Sequence, residues 1–114
     1  MKFDDRQTLL DIAFCLRTMS DHVRGLTKEQ FSADRARQDA VLYRITVLGE
    51  AARRMSEPFR ASHPEVPWSS MVGMRNRVIH GYDQVDLHIV WGVVTLEVPV
   101  LFAKLQPLIP QQDK

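Results

Sequence analysis

The sequence predicts an all-α protein, a bundle of four main helices with short helical turns between them. Apolar residues recur at three- and four-residue spacing in four long stretches, and no stretch alternates as a half-buried strand would. Capping residues, glycines and prolines fall between those stretches. With 114 residues, 45% hydrophobic and 25% charged, the chain has the size and composition of one globular domain. We assign residues 1–108 to that domain and 109–114 to a frayed tail.

The first helix is predicted from Asp5 to Arg24, with Asp4 or Asp5 as its N-cap. Gly25 stands where a C-terminal cap belongs. The apolar residues that share one helical face are Leu9, Ile12, Ala13, Leu16, Met19 and Val23. After this helix, the segment 27–30 has the capping-box pattern that opens a short helical turn, which we expect to end near Phe31.

The second long helix is predicted from its cap Asp34 to about Met55. Gly49, Ala51 and Ala52 are small enough to permit close approach of another helix. A short helix follows over Glu57 to Ser62, where Pro58 is tolerated in the first turn. The core positions of the long helix are Val41, Ile45, Leu48, Ala52 and Met55.

The third long helix is predicted over Trp68 to His80, ended by Gly81. Asp83 or Asp86 should cap the last helix, and Pro99 should kink or divide it. Helical spacing continues in that helix through Leu87, Val90, Trp91, Val94, Val98, Leu101 and Leu105.

Several classes of protein are disfavoured by composition. The single Cys15 excludes an internal disulfide framework and a cysteine zinc site. The start, residues 1–6, lacks the apolar core of a secretory signal. The longest apolar run, Ile89 to Phe102, has 14 residues, too few to span a bilayer. We therefore expect a cytoplasmic protein without a membrane segment.

Charge is segregated along the chain although the net charge is only +1. Residues 35–77 carry eight arginines against four acidic residues, whereas the flanking parts are slightly acidic. A local positive field suits a polyanion. On charge alone, a solvated arginine-rich helix face explains the pattern equally well.

The stretch 74–82 is the richest in groups that can bind and transform a phosphate. Arg75 and Arg77 offer planar donor forks, Asn76 an amide, His80 a proton-transfer group and Tyr82 a phenol. These groups suit metal-free cleavage of RNA, with histidine moving a proton and a guanidinium stabilising charge on the phosphate. The alternative is that they are cap and packing groups. Arg77 in particular has three readings: an RNA-backbone contact, a part of the site, or a surface salt bridge.

Helical geometry constrains how this stretch can act. On a continuous helix Asn76 lies one turn below His80, while Arg75 lies about 140° away from His80. The side chains of Arg75 and His80 would then not easily contact the same substrate atom. Either the chain unwinds at Gly81, or a second copy of the helix supplies the missing group across a symmetric dimer.

The sequence resembles the HEPN superfamily, and within it the HepT-like toxins of the HepT/MntA toxin–antitoxin type. The motif R-x4-H-x-Y carries the resemblance, as Arg75, His80 and Tyr82, with Asn76 as the polar residue after the arginine. Further similarity runs from about residue 5 to 105, in the segments 38–41, 48–52, 59–64, 66–68, 73–76, 85–87 and 90–91.

This resemblance implies a helical bundle that dimerises so that two motifs face one cleft. It implies a metal-independent endoribonuclease without a cofactor, which inhibits growth by acting on RNA. It also implies a partner, an MntA-like nucleotidyltransferase antitoxin that adenylylates Tyr82, with a larger hetero-oligomer of the two proteins as a further option beside the homodimer. Two alternatives stay open: a non-catalytic nucleotide- or RNA-binding module that pairs with a nucleotidyltransferase, and a small helical adaptor.

Overall fold

A computed structural model describes residues 3–80 and 84–110 and confirms the all-α prediction. Its seven helices are α1 Phe3–Val23, α2 Lys28–Ser32, α3 Arg35–Arg54, α4 Glu57–Ser62, α5 Trp68–Val78, α6 Leu87–Gly92 and α7 Val98–Leu105. A π-helical turn, Val93–Glu97, joins α6 to α7, and a 3₁₀ turn, Gln106–Leu108, follows α7. Two short antiparallel strands, β1 Ile79–His80 and β2 Gln84–Val85, lie between α5 and α6.

One hydrophobic core lies between α1, α3, α5 and the last helical span. The strongest packing joins α3 to both α1 and α5, so α3 is the central helix. Each predicted core position of α1 and α3 is buried, as are Met71, Met74 and Val78 of α5. Trp68 is buried too, and its indole N–H donates to the carbonyl of His63 at 3.0 Å. The three- and four-residue spacing therefore identified the core correctly.

Gly49 is the contact point between α3 and α5. A Cβ atom at this position would lie 3.3 Å from the backbone oxygens of Met71 and Val72. Backbone atoms of a packed helix cannot move aside as a flexible side chain can. The close approach that the small residue predicted is confirmed, and it fixes the distance between the two helices.

Replacing Gly49 with valine should therefore destabilise the fold by about 1–3 kcal/mol, because α3 and α5 must separate. The matched control is Gly73→Val in α5, where an added Cβ meets nothing within 4 Å. That variant should change stability by less than about 0.5 kcal/mol. Urea unfolding monitored by circular dichroism measures both. Equal stability of the two variants would show that α3 and α5 are not held this closely.

The predicted helix starts are confirmed with one correction. Thr27 forms a capping box with Gln30, and Asp34 caps α3 through the N–H of Arg37. Gly25 adopts a positive φ of 78° after α1. However, α1 begins at Phe3, so Asp5 lies inside the first turn.

Asp5 instead binds the beginning of α4. Its carboxylate accepts hydrogen bonds from the backbone N–H and the hydroxyl of Ser56, at 3.0 and 2.6 Å. Ser56 in turn caps α4 through the N–H of Phe59. The carboxylate is 4% exposed, so a buried charge is satisfied by donors that are distant in sequence. Local sequence patterns do not reveal such a partner.

The last helical span is divided, as Pro99 predicted. Asp86 is its N-cap, accepting from the N–H of Ile89 at 3.1 Å. The π-helical turn comes directly before α7, whose first turn contains Pro99. From Leu87 to Leu108 the helical span has 22 residues, long and apolar enough by those two criteria to cross a membrane. Its inner row packs against α1, whereas 28% of the apolar window is buried inside the molecule.

The predicted end of the third long helix is wrong by two residues. The helix α5 ends at Val78, and the following pair forms β1, with Ile79 opposite Val85 and His80 opposite Gln84. The N–H of Asp86 donates to the carbonyl of Val78 at 2.8 Å. Val78 and Ile79 are β-branched, which favours the extended conformation. Pairing with the segment before α6 therefore ends the helix, whereas Gly81 lies outside the described residues.

Candidate active site

The candidate site lies at the C-terminal end of α5. Arg75, Asn76 and Arg77 are consecutive and exposed, because the inward row of α5 is carried by Met74 and Val78. His80 is exposed in β1. Four of the five predicted site residues thus lie within six positions at one end of the bundle. The first three are helical, whereas His80 is on a strand.

The change of backbone alters the predicted geometry. Because His80 is not part of α5, it does not lie one turn above Asn76, and the helical offset of about 140° between Arg75 and His80 does not apply. The chain already unwinds at Ile79, before the glycine where unwinding was expected. Tyr82 lies outside the described residues, so its accessibility stays a prediction.

Arg75 and Asn76 border a small polar groove between α3 and α5. The groove has a volume of about 240 Å³ and is lined by Thr46, Gly49, Glu50, Arg53, Val72, Arg75 and Asn76. A guanidinium nitrogen of Arg75 lies 3.5 Å from the amide oxygen of Asn76, at the outer limit of a hydrogen bond. Asn76 therefore orients Arg75 only weakly, which leaves the guanidinium fork available to a ligand.

Two residues of this groove, Glu50 and Arg53, were not predicted as site residues. Both are exposed on α3. Both lie near Gly49, which contacts α5. Polar residues close to a small contact residue are therefore the sequence signal that could have identified them. Arg53 adds a second cation beside Arg75, while Glu50 limits the net positive charge. The groove can bind an anion such as a phosphate, with arginine as the main donor.

Arg77 is engaged elsewhere. Its guanidinium donates two hydrogen bonds to the carboxylate of Glu97, at 2.8 and 2.6 Å. These hydrogen bonds raise the pKa of Arg77 and lower the pKa of Glu97 below its usual value of 4.5. Glu97 belongs to the π-helical turn, so the pair joins α5 to the last helical span. Arg77 thus forms a surface salt bridge, one of its three readings, and its role in RNA binding or in the site stays a prediction.

The Arg77–Glu97 pair should contribute only about 0.2–1 kcal/mol to stability, because both side chains are about two-fifths exposed. Glu97 has a lowered pKa when folded. The stability that the pair contributes is therefore present above the unfolded pKa of Glu97, about 4.5, and is lost as the pH falls through the lower folded pKa.

A double-mutant cycle with Arg77→Ala and Glu97→Ala measures this energy by urea unfolding. The coupling should be detectable at neutral pH and should disappear at a pH well below 4.5. Coupling that persists in acid would contradict an ionic origin.

In residues 3–80 and 84–110, no group of three or more His, Cys, Asp or Glu side chains is placed to hold a metal ion. His88 accepts a hydrogen bond from Lys28 and so links α6 to α2. His63 packs on the ring of Phe59, with 4.5 Å between ring centroids. Among the described histidines, His80 is the one that adjoins the arginines of α5.

Comparison with known proteins gives a consistent family. The family model described as "Ribonuclease HepT-like" matches residues 12–108. The chain is 33% identical over 108 residues to "Probable ribonuclease HepT" of Thermococcus cleftensis, an alignment that covers 95% of this chain and 98% of the relative.

It is also 32% identical over 108 residues to a protein of Methanocaldococcus jannaschii that is provisionally named an RNase, covering 95% and 89% of the two chains. A similarly named protein of Caldanaerobacter subterraneus subsp. tengcongensis is 29% identical over 92 residues, covering 81% and 82%. No solved structure matches the chain. The family model and the relatives cover α5 and the motif that follows it, and the chain belongs to the HepT-like ribonuclease family.

Proposed function

We propose that the protein is a metal-independent endoribonuclease, the toxin of a toxin–antitoxin pair that acts in the cytoplasm. The observation that carries this proposal is the exposure of Arg75, Asn76 and His80 together at the end of α5. Membership of the HepT-like ribonuclease family supports RNA as the substrate. The site offers a guanidinium, an amide and an imidazole, which suffice for phosphate binding and proton transfer.

In the proposed reaction, the 2′-oxygen of one nucleotide forms a bond to the adjacent phosphorus while the bond from phosphorus to the 5′-oxygen breaks. A base takes the proton of the 2′-hydroxyl, and an acid supplies a proton to the 5′-oxygen. The products are a 2′,3′-cyclic phosphate and a 5′-hydroxyl end. His80 serves as the base or the acid, a role that typically accelerates a reaction about 10²–10⁴-fold.

Arg75 stabilises the charge that develops on the attacked phosphate. Its fork is bound only weakly by Asn76, so it can donate to two phosphate oxygens. Asn76 binds the phosphate or orients a neighbouring group. Arg53 adds positive charge on the α3 side of the groove. Arg77 is assigned a supporting role, holding α5 to the last helical span through Glu97.

A homodimer completes this mechanism, because one chain contributes one motif histidine and the reaction needs both a base and an acid. An apolar surface next to the site supports dimerisation through α5 and the last helical span. Leu96 and Val100 are 71% and 53% exposed there. Together with Pro67, Ser70, Met74, Glu97 and Leu101 they line a depression of about 230 Å³. Burial of such a patch against a second copy favours association.

Control by a partner nucleotidyltransferase is the remaining part of the proposal. The family resemblance implies that this antitoxin transfers adenylate to Tyr82, two residues beyond His80. An adenylate there places a negative charge beside Arg75 and His80, where it competes with the phosphate of the substrate.

The direct test is incubation of the purified protein with total RNA in the presence of excess chelator. Cleavage that leaves cyclic phosphate ends is expected, and sedimentation of the same sample should give about twice the chain mass. RNA binding without cleavage would instead support the alternative, a non-catalytic nucleotide- or RNA-binding module. Absence of both binding and cleavage would contradict the proposal.

A further inference from the structure

A second surface, formed by α1 and α3, combines exposed aromatic rings with arginine. Phe14 of α1 and Tyr43 of α3 are 49% and 62% exposed. The guanidinium of Arg44 lies between them, 4.8 Å from the ring centroid of Phe14 and 5.2 Å from that of Tyr43. We call these three residues the aromatic ridge.

A groove adjoins the ridge on its α1 side. It has a volume of about 490 Å³ and lies between α1 and α7, with Phe14 on one wall and Phe102 on the other. Arg17 and Asp21 line it from α1, and Arg24 lines it just after the end of that helix. Aromatic rings thus occur on both walls of an open groove, and basic side chains follow its length.

The charges of this surface are favourable for a polyanion. Asp21 is neutralised by Arg24, with 2.6 Å between carboxylate oxygen and guanidinium nitrogen. Within the described residues, neither Arg17 nor Arg44 forms an ion pair. Burial raises the pKa of the Cys15 thiol, and the nearby Arg44 guanidinium opposes that rise. Two arginines are therefore uncompensated at a surface that also carries aromatic rings.

This combination is the one by which proteins bind unpaired bases. Bases stack on exposed aromatic rings and on guanidinium planes, and neighbouring cations bind the backbone phosphates. A partner helix would need a continuous apolar face, whereas this surface mixes rings with guanidinium groups, of which those of Arg17 and Arg44 form no ion pair among the described residues. The Arg44 contacts also hold the two rings in place before any ligand arrives.

We propose that the aromatic ridge and the adjoining groove bind a single-stranded segment of RNA outside the cleavage site. Arg44 of the ridge contacts Phe14 of α1, and Tyr43 lies one helical turn before Thr46, which lines the groove at Arg75. One RNA strand that crosses α3 can therefore occupy both. The identification of the bound RNA as the substrate rests on the proposed function. RNA binding at the ridge can be measured separately from cleavage.

The first experiment measures binding without cleavage. Fluorescence anisotropy of the full chain with a 2′-O-methylated single strand of about 12 nucleotides avoids the reactive hydroxyl. Tyr43→Ala should weaken binding roughly 5- to 100-fold, the range expected for loss of one stacked base. Tyr43→Phe keeps the ring and should bind like the wild type. Equal affinity of the alanine variant, or loss of affinity in the phenylalanine variant, would overturn stacking at this ridge.

A matched pair of arginines tests the phosphate contact. Arg17→Ala should reduce the slope of log affinity against log salt by about 0.7, as expected for one released counterion on a single strand. Arg35→Ala is the control, because Arg35 is exposed on α3 but paired with Asp39 at 3.1 Å. Equal slopes for the two variants would contradict the proposed path of the RNA.

A third measurement needs no substitution. A photoreactive 4-thiouridine strand bound to the wild type should crosslink to peptides that contain Phe14 or Tyr43. Crosslinks confined to other peptides would overturn the proposal. Sedimentation of Tyr43→Ala should still give the wild-type mass, since dissociation into monomers would assign the ridge to a contact between copies of the chain.

The two proposals fail in different ways. If Tyr43→Ala binds the strand as tightly as the wild type while RNA is still cleaved, the ridge proposal alone is wrong. If the wild type cleaves no RNA while binding still depends on Tyr43, the ribonuclease proposal fails and the ridge proposal holds. Cleavage of a dinucleotide, too short to reach the ridge, should be equal in Tyr43→Ala and wild type.

Discussion

Replacing His80 with alanine should lower RNA cleavage about 10²–10⁴-fold, since the proton transfer that it performs is lost. Replacing Arg75 with alanine should lower RNA cleavage about 10²–10³-fold, because the charge on the phosphate is no longer stabilised. Both side chains are exposed, and the core of α5 is formed by other residues, so the fold should persist. The assay is cleavage with excess chelator, alongside circular dichroism and a growth-inhibition assay.

Two further variants sharpen this experiment. Arg75→Lys keeps the positive charge but loses the planar fork, so its activity should lie between those of wild type and Arg75→Ala. Arg54→Ala is the control, because Arg54 is equally basic and exposed but lies near Asp11, at 3.7 Å, on the α1 side. Full activity in Arg75→Ala or His80→Ala would contradict the mechanism, as would an equal loss in Arg54→Ala.

Replacing Tyr82 with phenylalanine should leave most ribonuclease activity intact while abolishing inactivation by a partner nucleotidyltransferase supplied with ATP. The phenol oxygen is the proposed acceptor of adenylate, whereas it has no part in moving protons at His80. In the treated wild type, mass spectrometry should find adenylate on a peptide that contains Tyr82.

The other tyrosine of the chain, Tyr43, provides the control for this modification. Tyr43→Phe should be inactivated as the wild type is. Adenylate found on another peptide, or silencing of the Tyr82→Phe variant, would show that the antitoxin inhibits by a different route, such as covering the cleft.

Some of the structural features behind these two predictions were identified from the sequence, and others were missed. The helical spacing and the caps Thr27, Asp34 and Asp86 depend on residues within a few positions of one another, and the structure confirms them. Gly49 was identified, together with Ala51 and Ala52, because small residues permit the close approach of two helices. The exposed arginine and histidine of the motif were identified by their residue types and spacing.

The missed features involve partners far apart in the chain. Asp4 or Asp5 was expected to cap the first helix, but both lie inside its first turn, and Asp5 binds Ser56, 51 positions away. Arg77 pairs with Glu97 across 20 positions, at a π-helical turn that spacing alone does not predict. Glu50 and Arg53 join Arg75 only because α3 and α5 touch at Gly49.

The sequence by itself determined the helical class, the core and the motif at the end of the third long helix. These follow from periodicity and from the chemistry of individual side chains, which are local properties. Only the tertiary structure decided where α5 ends, because the segment 84–86 pairs with Val78, Ile79 and His80 and replaces helical hydrogen bonds with strand pairing. That pairing places His80 on extended backbone while Arg75 stays helical, since hydrogen bonds to the segment just after residues 81–83 outweigh the local helical preference.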